Sequence, residues 1–183
     1  MARMFRSLSA GVLAMALVAA GCGDDDGGSS ENLSGSGATT SSTAAGGAFA
    51  GCKTEGTVTE TPTEEVVVTL GEFTIKPSAQ PKAGKVSLKA ENAGKEDHEI
   101  VIVKGDNAEA LPKDADGGLD EEKLPEGALI GEIEGFPGGQ VCSGTFNLTA
   151  GKYVLLCNII ETEPNGEKEA HFKEGMHIPF VVS

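Results

Sequence analysis

The chain has 183 residues, with 14 lysines and arginines against 28 aspartates and glutamates, for a formal net charge of −14. That balance excludes binding to nucleic acid or to an anionic membrane face through the protein's own charge. The four cysteines and three histidines are few enough to be considered one at a time.

Residues 1–21 contain Arg3 and Arg6, an apolar run from Leu8 to Ala20, and small residues before Cys22. A basic start, a short apolar core and a small-residue cleavage site predict a secretory signal. The run is too short for a stable transmembrane helix. Val18-Ala-Ala-Gly21-Cys22 resembles the lipobox of bacterial lipoproteins, with Ala19 where leucine is most common. That resemblance implies cleavage before Cys22 and a diacylglyceryl group on its sulfur. The plainer alternative is ordinary secretion, with Cys22 left for a disulfide. Cleavage removes two arginines and no acid, taking the charge to −16.

Residues 22–51 read as the modified cysteine and a flexible tether, because Asp24-Asp25-Asp26 and the Gly/Ser/Thr/Ala stretch cannot bury enough surface to order. A tether of this length spans roughly 30 Å root-mean-square. The three aspartates are expected to be a solvated spacer.

Residues 52–183 are long enough for one core, and their signals are strand-like. Val66, Val68 and Leu70 alternate, and Phe73 and Ile75 resume after a break that a bulge at Gly71-Glu72 would repair. Val86, Leu88 and Ala90 alternate cleanly. Ile100 to Val103 is a continuous apolar run, predicting a strand buried on both faces. Lys104 to Gly127 carries no pattern beyond a helical turn around Asp120 to Leu124. Asp114 to Asp120 fails as a calcium loop, since Leu119 and Pro125 stand where glycine and glutamate are required. Phe146 and Leu148, then Tyr153, Leu155 and Cys157, then Ile178, Phe180 and Val182 complete the set, with a turn at Thr149-Ala-Gly-Lys152. The prediction is an all-β, Greek-key β-sandwich of about six to eight strands.

The chemistry gathers near the C-terminus. Cys157 ends a strand, His171 lies in the following loop, and Met176 comes just before the final strand. His98 stands at the mouth of the Ile100–Val103 strand. One thiolate, two imidazoles and a weak thioether form the ligand set of a blue-copper electron-transfer site. A lone histidine at a strand edge is more often structural, so the joint pattern matters. No open position or acid–base partner suggests substrate chemistry, and the reading is not an enzyme. If Cys22 takes lipid and Cys157 takes metal, Cys52 and Cys142 remain as a disulfide pair in an exported chain.

Glu72-Phe-Thr-Ile-Lys-Pro77, Ala83-Gly-Lys-Val-Ser-Leu, Glu91-Asn92-Ala-Gly94 leading to His98, and Ala150-Gly-Lys-Tyr153 leading to Cys157 resemble the cupredoxins, the plastocyanin- and azurin-like type 1 copper proteins. The resemblance spans roughly residues 64 to 183. It implies one type 1 copper ion held by His98, Cys157, His171 and Met176. It also implies single-electron transfer between redox partner proteins, which the lipobox resemblance places outside the cytoplasm on a chain lipid-anchored to the bacterial cell membrane through Cys22. Copper storage or delivery is the alternative.

Thirteen residues separate Cys157 from His171, more than is usual in that family. The extra segment carries Pro164-Asn165-Gly166, a turn signal that lets it project outward with its ends close. Its closure entropy grows by only ~0.6 kcal/mol per doubling of length. His177 is the substitute ligand if His171 is misassigned. The segment's glutamates form an acidic rim that suits a basic partner, or is simply a solvated loop.

Overall fold

The computed structural model describes residues 49–183. The predicted signal, Cys22 and most of the tether lie outside them. The strands are β1 (Thr54–Glu55), β2 (Glu64–Gly71), β3 (Thr74–Pro77), β4 (Gly84–Asn92), β5 (His98–Lys104), β6 (Leu129–Phe136), β7 (Val141–Leu148), β8 (Gly151–Leu156), β9 (Ile160–Thr162), β10 (Lys168–Ala170) and β11 (His177–Val182).

Two sheets form the predicted Greek-key sandwich. One has the order β3-β2-β4-β7 and the other β1-β6-β5-β8-β11, while β9 and β10 pair only with each other. The sandwich therefore has nine strands, against the six to eight expected. In the first sheet β2 and β4 run parallel, aligning Val66 with Leu88 and Val68 with Ala90. Strand β7 runs antiparallel to β4 and sets Phe146 opposite Val86. These residues alternate with less buried ones, Val67 among them, so each strand turns one apolar row inward. The second sheet supplies Ile100, Ile102, Ile133, Phe136, Tyr153, Leu155, Phe180 and Val182 to the same core.

The apolar run in β5 is buried on both faces, as its sequence predicts. Ile100 and Ile102 face the space between the sheets. Val101 and Val103 join Val154 and Leu156 in a second cluster on the outer face. The long patternless segment covers that face with Ala108 and Leu119, assisted by Ala128 and Phe172. It contains two single 3-10 turns, Ala108–Ala110 and Glu121–Lys123. The second falls where a helical turn was expected.

One local reading needs correction, and strand β6 was not anticipated. The break after Leu70 is not a bulge within one strand. Gly71 pairs with Thr74, so Glu72 and Phe73 form the two-residue turn of a β2–β3 hairpin. Reversing the chain restores the inward row at Ile75 without an extra residue. Strand β6 carries no recognisable period, because Gly131 occupies an inward position and the register against β5 shifts between Ile133 and Phe136. A side chain at Gly131 would lie 2.4 Å from the Glu55 carbonyl oxygen, so glycine lets β1 approach β6.

Cys52 and Cys142 form the predicted disulfide, with a Cα–Cα distance of 5.6 Å across 90 residues. It fastens the start of the domain to β7.

Candidate metal centre

Four segments meet at one end of the sandwich. His98 opens β5, directly after a loop organised by Asn92. The buried Asn92 side chain donates to the Glu96 and Phe136 carbonyl oxygens at 2.8 and 3.0 Å. Its Oδ1 accepts the Gly94 N–H at 3.0 Å. The loop passes so close to His98 that a Cβ at Gly94 would lie 2.9 Å from Nε2. Gly94 is therefore required by close approach of the backbone to the ring.

Cys157 follows β8, and its N–H donates to the Met176 carbonyl oxygen at 3.0 Å. The Met176 N–H donates to the His171 carbonyl oxygen at 2.9 Å. The inserted segment, expected at roughly Glu161 to Ala170, is a hairpin. Ala170 pairs with Ile160, Glu169 with Glu161 and Lys168 with Thr162. Its tip turns through Pro164-Asn165-Gly166, where the Gly166 N–H donates to the Glu163 carbonyl oxygen at 2.8 Å. Because the hairpin closes at its base, His171 returns beside Cys157, and its N–H reaches the Ile159 carbonyl oxygen at 3.0 Å.

One donor atom from each of His98, Cys157 and His171 lies within 4.8 Å of the others, and all three residues are buried. Cys157 Sγ and His171 Nδ1 are 3.3 Å apart. Sulfur and nitrogen bound to one ion at roughly 2.3 and 2.0 Å lie about 3.3–3.5 Å apart at near-tetrahedral angles. The imidazoles meet edge to face, with ring centroids 5.2 Å apart. Met176 is also fully buried at this end. His177 starts β11 instead, and its ring packs against Phe172 at 5.4 Å.

Burial dominates the electrostatics. It holds the His98 pKa below the usual imidazole value, and the neighbouring His171 pushes the same way. It pushes the Cys157 thiol up to about 12, with Glu99 adding to the rise. Both nitrogens of His98 and Nε2 of His171 are buried without a hydrogen-bond partner. Orphaned polar atoms in an apolar core are costly, and a cation bound beside Cys157 would satisfy one nitrogen of His98, while Nε2 of His171 lies on the other side of its ring from Cys157. The donor set fits copper, since Cu(I) favours soft sulfur while Cu(II) accepts imidazole.

Phe73 is the only described non-glycine residue with positive φ, at 55°. Its ring stands edge-on to His171, with centroids 5.4 Å apart. A bulky residue in this conformation is uncommon and marks local strain. The contact was missed in the sequence because Phe73 there continues an alternating strand. Positive φ at a phenylalanine leaves no compositional signal.

No family model matches the sequence, and no curated protein matches it. Several solved structures do. Auracyanin B is 21% identical, with a TM-score of 0.49 over 72% of this chain and 97% of its own. Auracyanin A, a "blue" copper protein from the green thermophilic photosynthetic bacterium Chloroflexus aurantiacus, is 21% identical, with a TM-score of 0.43 over 65% and 99%. Rusticyanin from Thiobacillus ferrooxidans is 17% identical, with a TM-score of 0.40 over 67% and 79%.

Proposed function

We propose that the protein is a type 1 copper protein that carries single electrons between redox partners outside the cytoplasm. His98, Cys157 and His171 are the strong ligands, and Met176 is the weak axial one. The observation that carries this reading is the buried convergence of one thiol and two imidazoles, with His98 left without a hydrogen-bond partner. Copper bound there supplies a reversible one-electron couple. The chain's part is to hold the four donors in one arrangement, exclude water, and accept loss of the Cys157 proton when metal enters. Fixed donors keep reorganisation between the two oxidation states small.

Complete burial of the three strong ligands favours a carrier over the alternative, copper storage or delivery, which needs a metal that exchanges readily. Lipid on Cys22 would anchor the chain to the bacterial membrane, since two acyl chains suffice for stable attachment. Cys22→Ser should then release the protein or leave its precursor uncleaved. Unchanged membrane retention would refute the anchor.

Metal analysis and visible absorption test the centre directly. Oxidised protein should hold close to one copper per chain and show an intense thiolate-to-copper band. Cys157→Ser should abolish the band, because oxygen does not replace the soft, covalent sulfur donor. His171→Ala should lose it or open an exchangeable position, whereas His177→Ala should leave it nearly intact. The reverse pattern for the two histidines would overturn the ligand assignment, and absence of copper from the purified protein would overturn the function.

A further inference from the structure

The outer side of His171 carries a second group of residues that the copper reading does not use. One carboxylate oxygen from each of Glu96 and Glu169 lies within 4.8 Å of the other and of a His171 nitrogen. Glu96 Oε2 is 3.8 Å from His171 Nε2, and both atoms are buried without a hydrogen-bond partner. Glu96 comes from the loop between β4 and β5. Glu169 comes from β10, the returning arm of the inserted hairpin.

Two carboxylates this close repel each other unless a positive or positively polarised group stands between them. Among the described residues, no lysine or arginine forms an ion pair with either one. The group that faces them is the outer nitrogen of His171. On the other side of the ring, Nδ1 lies 3.3 Å from Cys157 Sγ. Where the Cys157 thiol donates in the metal-free protein, Nδ1 presents its lone pair. The single ring proton then belongs on Nε2, where the two carboxylates can accept it. A thiol donor on one side and carboxylates on the other are compatible with the same tautomer, although Glu96 Oε2 at 3.8 Å stands short of a formed hydrogen bond.

We propose that Glu96 and Glu169 form a carboxylate clamp on Nε2–H of His171, locking the tautomer that turns the Nδ1 lone pair toward Cys157. They are positioning residues, acting on the ligand rather than touching the metal. Carboxylates that accept the outer N–H of a ligating histidine fix its orientation and raise its basicity. The clamp also gives the inserted hairpin a function, since it brings Glu169 over a ring that Glu96 reaches from the opposite loop. It rests on the copper reading for its effect on the metal, but the tautomer is a property of the metal-free protein.

The test uses nitrogen-15 NMR of the His171 ring in metal-free protein, which distinguishes the two tautomers without copper. The wild-type ring should carry its proton on Nε2. E96Q/E169Q should populate both tautomers, and its affinity for Cu(II) should fall about tenfold to a hundredfold. E169Q alone separates the hairpin's contribution, with circular dichroism confirming that each variant folds. A proton on Nδ1 in the wild type, or an unchanged tautomer in the double variant, would overturn the clamp even if copper binds normally. So would a Zn2+ ion retained one-to-one by Cys157→Ser and lost on adding E96Q/E169Q, because the group would then be a cation site. A clean Nε2 tautomer in a protein that takes no copper would instead leave the clamp standing and remove the copper function.

Discussion

The buried carboxyl of Glu99 shows how one residue can set a pH dependence. Burial raises its pKa to about 7, against an opposing hydrogen bond from the Asn158 N–H, and Glu132, Glu121 and Glu134 add to the rise. The folded state therefore keeps a proton that the unfolded state has released above the ordinary value of 4.5. Stability from this group is fully present below about pH 4.5 and is lost as pH rises through about 7. Glu99→Gln keeps an acceptor for Asn158 but removes the titration. Urea unfolding of the metal-free protein across that window should decline less steeply with pH in the variant than in the wild type. Glu132, raised by the same burial, should leave a smaller residual slope. An equal decline in both proteins would assign the pH dependence to other groups.

The inserted hairpin is the element that most distinguishes this chain. Glu161, Glu163, Glu167, Glu169 and Glu174 outnumber Lys168 and Lys173 around it, and six of these seven line a charged surface cleft. A patch of one dominant sign steers an oppositely charged partner to the face nearest the candidate centre. Electron transfer to a basic partner should slow as ionic strength rises. Neutralising Glu163, Glu167 and Glu174 together should lower the association rate while leaving the copper band unchanged. A bimolecular rate indifferent to salt would reduce the rim to a solvated loop. The base of this hairpin was legible as a loop with close ends, because Pro164-Asn165-Gly166 is local turn chemistry. Its pairing register, and hence the position of Glu169, was not. The β2–β3 turn failed differently, since an alternating pattern cannot distinguish a strand that kinks from one that reverses.

Across the whole molecule, the Cys52–Cys142 link closes a loop that spans most of the sandwich. The chain-entropy account gives a bridge of this span about 4–5 kcal/mol, an upper figure because unfolded chains retain structure. Replacing both cysteines by alanine should lower the urea-unfolding free energy by a large part of that amount while the native sheets persist. A loss below ~1 kcal/mol would show that the strands constrain the chain without the bridge. The pairing was available from the sequence by elimination, once Cys22 and Cys157 were given other roles. The sandwich was equally available, because strand alternation and the run Ile100–Val103 record burial one residue at a time. Tertiary structure decided what depends on residues far apart in the chain. It placed His98 within reach of Cys157 and His171, set His177 against Phe172 instead, built β6 around a glycine, and brought Glu96 and Glu169 from separate loops to one side of one imidazole. Local periodicity encodes which face of a strand is buried. It carries no information about which loops meet at the end of the sandwich, because that depends on strand register and hairpin closure across the whole chain.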